Sequence, residues 1–262
     1  DRICEILGQR KPEHFTYELF LDENGHKISK SSGNGVSIDQ WLNYASAESL
    51  SYFMYQKPKT AKRMYFDVIP KAVDEYHQQL RAYETQDEKA RLNNPVWHIH
   101  NGHVPKSDMV ISFAMLLNLA SVSSAETKET LWGFIQRYVP GSGPESHPSM
   151  DQAVGFAVRY YNDFVKPTKT YRTASKVEQQ ALEALRDALI AHDGAVDDET
   201  LQSIVYAEGR ERFDPLRDWF TAIYEVLLGS SQGPRFGGFI ALYGVDETVK
   251  LIDEALSGKL VP

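Results

Sequence analysis

The sequence predicts a mainly α fold entered through one short β-hairpin. Apolar residues recur at helical spacing over most of the chain, and capping residues precede those runs. Period-two alternation is confined to "TYELFLDENGHKIS", residues 16–29, where Tyr17, Leu19 and Leu21 share one face and Asn24-Gly25 supplies the positive-φ residues of a tight turn.

The second arm of this expected hairpin opens into "HKISKSSGNG", residues 26–35, a loop of lysine, serine and glycine. Ser37-Ile38-Asp39-Gln40 then has the form of a capping box, with Val36 and Trp41 placed to close a hydrophobic staple. Helical patterns continue in "ASAESLSYFMYQ" and in "PKAVDEYHQQLRAYE", which opens on Pro70. Ser107 is the expected cap of "DMVISFAMLLNLASV", followed by "AETKETLWGFIQRYV", the loop "GSGPESHPS" and the helix "MDQAVGFAVRYYNDFV". Further on, Leu182, Leu185 and Leu189 form one apolar stripe. Asp214 and Pro215 read as N-cap and N1 of "LRDWFTAIYEVLL", which ends before Gly229, and a last helix stops at Gly258.

Within 262 residues of net charge −8, the balance is uneven. Residues 1–176 hold 21 basic and 20 acidic side chains, whereas residues 177–262 hold 7 and 16. That step predicts two surfaces of different character, with a boundary near 165–177. The acidic part is excluded as a non-specific nucleic-acid binder, because such affinity comes from neutralising phosphates. One cysteine, Cys4, excludes an internal disulfide and fits a reducing cytoplasmic setting. No apolar run approaches the ~18 residues of a membrane-spanning helix, so no membrane partner is expected. A chain opening on Asp1 is expected to be a piece of a longer polypeptide.

A mobile loop of this composition beside a helix N-terminus suits a polyphosphate. Lysines give point charges, serine hydroxyls donate hydrogen bonds, and Gly33 and Gly35 permit close backbone approach. No GxxxxGK[ST] occurs, which excludes a P-loop, and no GxSxG supports hydrolase chemistry. Residues alone leave a solvated basic turn as the alternative.

Lys27-Ile28-Ser29-Lys30-Ser31 resembles the KMSKS signature of class I aminoacyl-tRNA synthetases, with Ile28 in the methionine position. The longer stretch from His26 to Lys71 resembles the segment that follows the catalytic domain in class I lysyl-tRNA synthetases. "NPVWHIHNG", "SFAMLLNLAS", "KETLWGFIQRY" and "GPRFGGFIALYG" continue the likeness, which thus covers the chain as the C-terminal half of such an enzyme. The resemblance implies three parts: 1–40 as the end of the catalytic region, 41–165 as a helical bundle touching the tRNA stem, and 166–262 as a helical anticodon-binding cage. It implies lysine–tRNA ligase activity, with ATP and magnesium, lysine and a lysine-accepting tRNA as partners of the intact enzyme and nothing bound to the piece alone. Lys27 and Lys30 would contact ATP phosphates as the catalytic pair, with Ser29 and Ser31 as supporting ATP-binding donors. The class also needs a HIGH-type motif on a Rossmann fold upstream. "HIHNGH" at 98–103 lies on the wrong side of the loop, so the piece alone is expected not to aminoacylate.

Two alternatives stay open, a glutamyl-tRNA synthetase-like C-terminal half and a non-catalytic helical module that binds tRNA or protein. "QKPKTAKR" offers Lys57, Lys59, Lys62 and Arg63 to the phosphates of an acceptor stem, or is a solvated turn. "KPTKTYRTASK" at 166–176 reads equally as a second RNA-facing stretch or a linker. In a glycine-rich loop expected over 229–239, Arg235 could pair with a base edge and Phe236 could stack on a base. His98, His100 and His103 lack a fourth ligand nearby, and no metal site is expected.

Overall fold

A computed structural model describes residues 2–29 and 31–261. It divides into two compact units, Asp1–Pro105 and Lys106–Pro262. The three-part division by role drawn from the sequence, with boundaries after residues 40 and 165, remains a proposal. Both units are helical, and the sheet among the described residues is two short parallel strands.

The first unit contains α1 (Arg2–Ile6), β1 (Phe20–Leu21), α2 (Ile38–Tyr44), α3 (Ala47–Tyr55), β2 (Lys62–Arg63), α4 (Val68–Thr85), α5 (Glu88–Asn93) and α6 (Pro95–Ile99). The capping box of α2 forms as expected: Gln40 N–H donates to Ser37 Oγ at 3.1 Å and Ser37 N–H to Gln40 Oε1 at 2.8 Å. Val36 and Trp41 are buried beside it. Trp41 lies 5.3 Å from the Phe53 ring on α3, and Phe20 of β1 lies 6.5 Å from the same ring. Both ends of the lysine loop are therefore anchored on one aromatic group. Behind it, Tyr52, Tyr76, Leu80 and Val96 join α3, α4 and α6 into a core.

The expected hairpin is cut short. The turn forms, with Gly25 at φ 85° and Asp22 N–H donating to His26 C=O at 2.8 Å, but antiparallel pairing stops at one bridge, Leu21 to Lys27. The neighbour of β1 is instead the parallel strand β2, with Phe20 opposite Lys62 and Leu21 opposite Arg63. Tyr17 and Leu19 stay exposed, so their alternation has no core within this unit to cover.

The second unit contains α7 (Phe113–Val122), α8 (Lys128–Tyr138), α9 (Pro148–Tyr160), α10 (Lys176–Ala191), α11 (Asp198–Arg210), α12 (Arg217–Ile223), α13 (Phe236–Tyr243) and α14 (Val245–Leu256). Helices α9 and α12 run on into single π-type turns, Tyr161–Val165 and Tyr224–Leu228. The core joins the Leu182–Leu185–Leu189 stripe to Trp219, Phe236, Phe239 and Ile252. Two expected caps are corrected. Helix α7 starts at Phe113 with Ser112 as its cap, because Asp108 is drawn away to accept the N–H of Ser149 at the start of α9. Helix α12 starts at Arg217, after a turn in which Asp218 N–H bonds to the carbonyl of Pro215.

Residues 166–172 form a strap held from several sides. Lys166 pairs with Glu126, Lys169 Nζ donates to Ser121 C=O at 2.7 Å, and Thr170 N–H donates to Gly229 C=O at 3.1 Å. Burial pulls the Lys169 ammonium down to about 8. Arg172 donates twice to Glu178, at 2.8 Å each, and once to Glu225 at 2.6 Å. The Arg172 bonds hold the Glu178 carboxyl at about 2 against the opposing effect of burial. A folded-state pKa below the unfolded value gives stability that is complete above pH ~4.5 and is lost as pH falls toward 2. Arg172→Ala is therefore expected to melt at a lower temperature than the parent at pH 7. The gap should narrow as pH falls from ~4.5 toward 2, where Glu178 of the unfolded parent takes up a proton that the folded parent does not, which melts followed by circular dichroism across pH 2–7 will read.

Candidate functional site

The loop from 27 to 35 leaves β1 through the Asp22–Gly25 turn and returns at α2. Lys27 is exposed. Lys30, named from the sequence as the second phosphate contact, lies outside the described residues. The Ser29 hydroxyl gathers the other serines: it is 3.2 Å from Ser31 Oγ and 2.7 Å from Ser32 Oγ, and it accepts the Ser32 N–H at 3.2 Å. Ser31 faces solvent. The two bonds between hydroxyls use two of the three protons, so the cluster keeps one proton to turn toward an anion. The N-terminus of α2 contributes less than the sequence implies, because its capping box already uses the N–H groups of Ser37 and Gln40.

Asp22 and Asn34 form the base of the loop. Asp22, 8% exposed, accepts the N–H groups of Asn24 at 3.0 Å and His26 at 2.8 Å through Oδ1. Its Oδ2 accepts from Asn34 Nδ2 at 2.9 Å. The Asn34 bond, then the His26 N–H, hold the Asp22 carboxyl below the usual carboxylate range. A cavity of ≈ 280 Å³ lies here, between Asp22, Asn34, Tyr65 and Phe66.

Pairing of β1 with β2 brings the basic stretch alongside this loop. The Arg63 guanidinium packs beside the Gly25 turn, and Lys57, Lys59 and Arg63 are exposed. Lys62 has a different position. Its Nζ donates to the Phe53 and Met54 carbonyls at 2.7 and 2.9 Å, capping the C-terminal end of α3, and burial lowers its pKa. A basic residue count could not separate this lysine from its neighbours.

Two sequence-named residues sit in the second unit. Arg235 is exposed at the N-cap of α13. Phe236 lies inside that helix, fully buried, with its ring 5.5 Å from Phe239. The glycine-rich loop expected over 229–239 therefore ends at Arg235, and the Phe236 ring is a core group rather than a free stacking face. Gly237 and Gly238 belong to the helix because α11 crosses there: Gly237 N–H donates to Gln202 Oε1 at 2.8 Å.

The three histidines do not converge. His98 Nε2 is 2.9 Å from the Leu92 carbonyl, His100 Nε2 is 2.9 Å from Tyr76 Oη, and His103 Nδ1 is 3.1 Å from the Asn101 carbonyl. Among the described residues, no helix is long and apolar enough to cross a membrane.

Residues 1–103 match a family profile described as tRNA synthetases class I (K). Over 261 residues the chain is 78% identical to a lysine–tRNA ligase of Roseobacter denitrificans, covering all of this chain and 50% of that protein. Lysine–tRNA ligases of Rickettsia bellii and Rickettsia felis are each 48% identical over 257 residues, covering 97% of this chain and 49% of theirs. The chain spans about half the length of these curated relatives.

Proposed function

We propose, for a chain that belongs to the class I lysine–tRNA ligases and spans about half their length, that it supplies the ATP-facing loop and tRNA-binding helices of such an enzyme. The observation that carries this reading is that β1 holds the loop of Lys27 on one edge and β2 with Arg63 on the other, with the Arg63 guanidinium beside the Gly25 turn.

In the reaction a lysine carboxylate oxygen bonds to the α-phosphorus of ATP as the bond to the bridging oxygen of pyrophosphate breaks. The aminoacyl carbon then bonds to a ribose hydroxyl at the tRNA 3′ end as its anhydride bond to AMP breaks and AMP leaves. Lys27 and Lys30 neutralise charge on the α-phosphate and on the departing pyrophosphate, and Ser29 and Ser31 donate hydrogen bonds. Lys57, Lys59 and Arg63 hold acceptor-stem phosphates without reading sequence. The helices of 41–165 contact the stem, and those of 166–262 form the anticodon-binding part, with Arg235 as a base-edge donor. Magnesium would enter with the triphosphate: among the described residues no three His, Cys, Asp or Glu side chains are grouped to hold a metal ion. The setting is the cytoplasm, where the tRNA is used.

The test has two arms. A full-length ligase carrying this sequence is expected to exchange pyrophosphate into ATP only when lysine is present, and exchange driven by glutamate instead overturns the assignment. Filter binding of the present chain to tRNA transcripts with altered anticodons is expected to discriminate between them and to weaken with salt. Equal binding to all of them removes the anticodon role from this part.

A further inference from the structure

Asn34 stands seven residues beyond Lys27, yet its amide group reaches back across the loop. Its Oδ1 accepts the Ser29 N–H at 3.1 Å, and its Nδ2 donates to the Lys27 carbonyl at 3.2 Å as well as to Asp22 Oδ2. One side chain therefore grips the backbone on both sides of Ile28 and ties it to a carboxylate at the end of β1. That carboxylate is itself fixed by two backbone N–H groups of the turn. The strand behind it is fixed in turn, since Met64 N–H donates to the Leu21 carbonyl at 2.7 Å.

An apolar contact closes the same segment from the other side. Gly35 has φ 89°, and a Cβ added there would lie 2.5 Å from Ile28 Cδ1. The Ile28 side chain thus fills the space that any larger residue at 35 would need. The backbone of residues 27–29 is held by a polar clamp and by this contact, while Lys27 and the serine hydroxyls remain outside it. A loop that must place charge on a transition state gains from such a base, because a displacement of about 1 Å can cost roughly 10²-fold in rate.

We propose that Asn34 and Asp22 are positioning residues for adenylate formation, a latch that orients the 27–29 backbone so that the loop delivers its cations to the triphosphate. The proposal rests on the reading of this loop as the ATP loop. The bonds of the latch run to Asn24, His26, Lys27 and Ser29 and to none of Lys57, Lys59 and Arg63, so its effect falls on the chemical step and not on tRNA affinity.

Substitutions distinguish a latch from simple loop packing. Asn34→Ala deletes all three bonds. Asn34→Asp sets two carboxylates face to face. The exchange Asp22→Asn/Asn34→Asp restores the central bond with reversed polarity: the new amide donates, and the new carboxylate still accepts the Ser29 N–H, while the Lys27 carbonyl loses its donor and faces a carboxylate oxygen, so recovery is partial.

In a full-length ligase carrying this sequence, lysine-dependent pyrophosphate exchange is measured against ATP concentration, with tRNA filter binding and thermal melting run in parallel. Asn34→Ala is expected to lower kcat for exchange by ~10- to 100-fold. Its tRNA Kd should stay within about twofold, and its melting temperature should fall by a few degrees with the loss of the Asp22 bond, too little to unfold the enzyme at the assay temperature. Asn34→Asp is expected to be slower still, and the exchanged pair to recover at least part of the loss. Wild-type kcat in Asn34→Ala overturns the latch, as does an exchanged pair no faster than Asn34→Asp, or tRNA affinity falling in step with kcat. Lys30→Ala run alongside separates the two levels. Loss of exchange in Lys30→Ala with none in Asn34→Ala removes the latch alone, whereas full exchange in Lys30→Ala removes the reading of the loop and the latch with it.

Discussion

Gly237→Ala is expected to destabilise the Lys106–Pro262 unit by about 3 kcal/mol or more, one of the two largest effects expected of a small change in this chain. A Cβ at 237 would sit 2.3 Å from the Gln202 backbone nitrogen and 2.6 Å from both the Asp198 carbonyl oxygen and Gln202 Cα. All three atoms are main chain, so no rotamer change relieves the clash, and α13 must move off α11. Overpacking of this kind costs ~1–3 kcal/mol and occasionally more. Movement also strains the buried bond from Gly237 N–H to Gln202 Oε1, with a further cost of ~1–3 kcal/mol if it is lost. The gain in helix propensity from glycine to alanine, at most ~1 kcal/mol, does not compensate. Gly133 provides the opposite sign. It is exposed on α8 with no atom within 4 Å of its Cβ position, so Gly133→Ala should be neutral or stabilise by up to ~1 kcal/mol. Thermal melts of the two variants should move in opposite directions, with Gly237→Ala lower by roughly 6 °C or more. Equal melting temperatures would mean that the helices do not cross as closely as described.

Removing both lysines of the loop is expected to have the largest effect on catalysis. In a full-length ligase, Lys27→Ala/Lys30→Ala should lower the rate of lysyl-adenylate formation by ~10³-fold, since loss of one transition-state donor alone costs on the order of 10²–10³. Binding of tRNA should change by less than about threefold, because the cations at 57, 59 and 63, proposed to hold the stem, are untouched. Rapid-quench measurement of adenylate formation, with filter binding of tRNA, separates these quantities. A parallel loss of both, or an unchanged adenylation rate, would show that the loop does not act on the triphosphate.

Local chemistry was legible in the sequence, and long-range chemistry was not. The Ser37/Gln40 box, the turn at Asn24-Gly25 and the stop at Gly229 depend on residues within one turn of each other, and each stands where the pattern put it. The cap of α7 was misplaced because the competing partner of Asp108, the Ser149 N–H, is 41 residues away. Gly237 and Gly238 read as loop because a sequence does not show which glycines meet another helix. The same limit applies to charge. Lys62 counts as one cation among four in its stretch, and only the fold shows its ammonium spent on the end of α3. Asn34 went unnoticed because asparagine next to glycine signals a turn, and that signal hides a side chain with three bonds across the loop.

The strap at 166–172 has a kinetic meaning. Arg172 pairs with Glu178 and Glu225 while Lys166 pairs with Glu126, so one strap cation answers the excess of 16 acidic over 7 basic side chains in residues 177–262 and most of the negative field there stands. A polyanion drifting toward that face is repelled within about a Debye length, ~8 Å at physiological ionic strength. For the tRNA contact proposed for residues 166–262, encounters that begin with a phosphate track would thus be short-lived, and those that present a few bare bases would last longer. Such a surface selects by rejecting most arrivals rather than by gripping the right one harder.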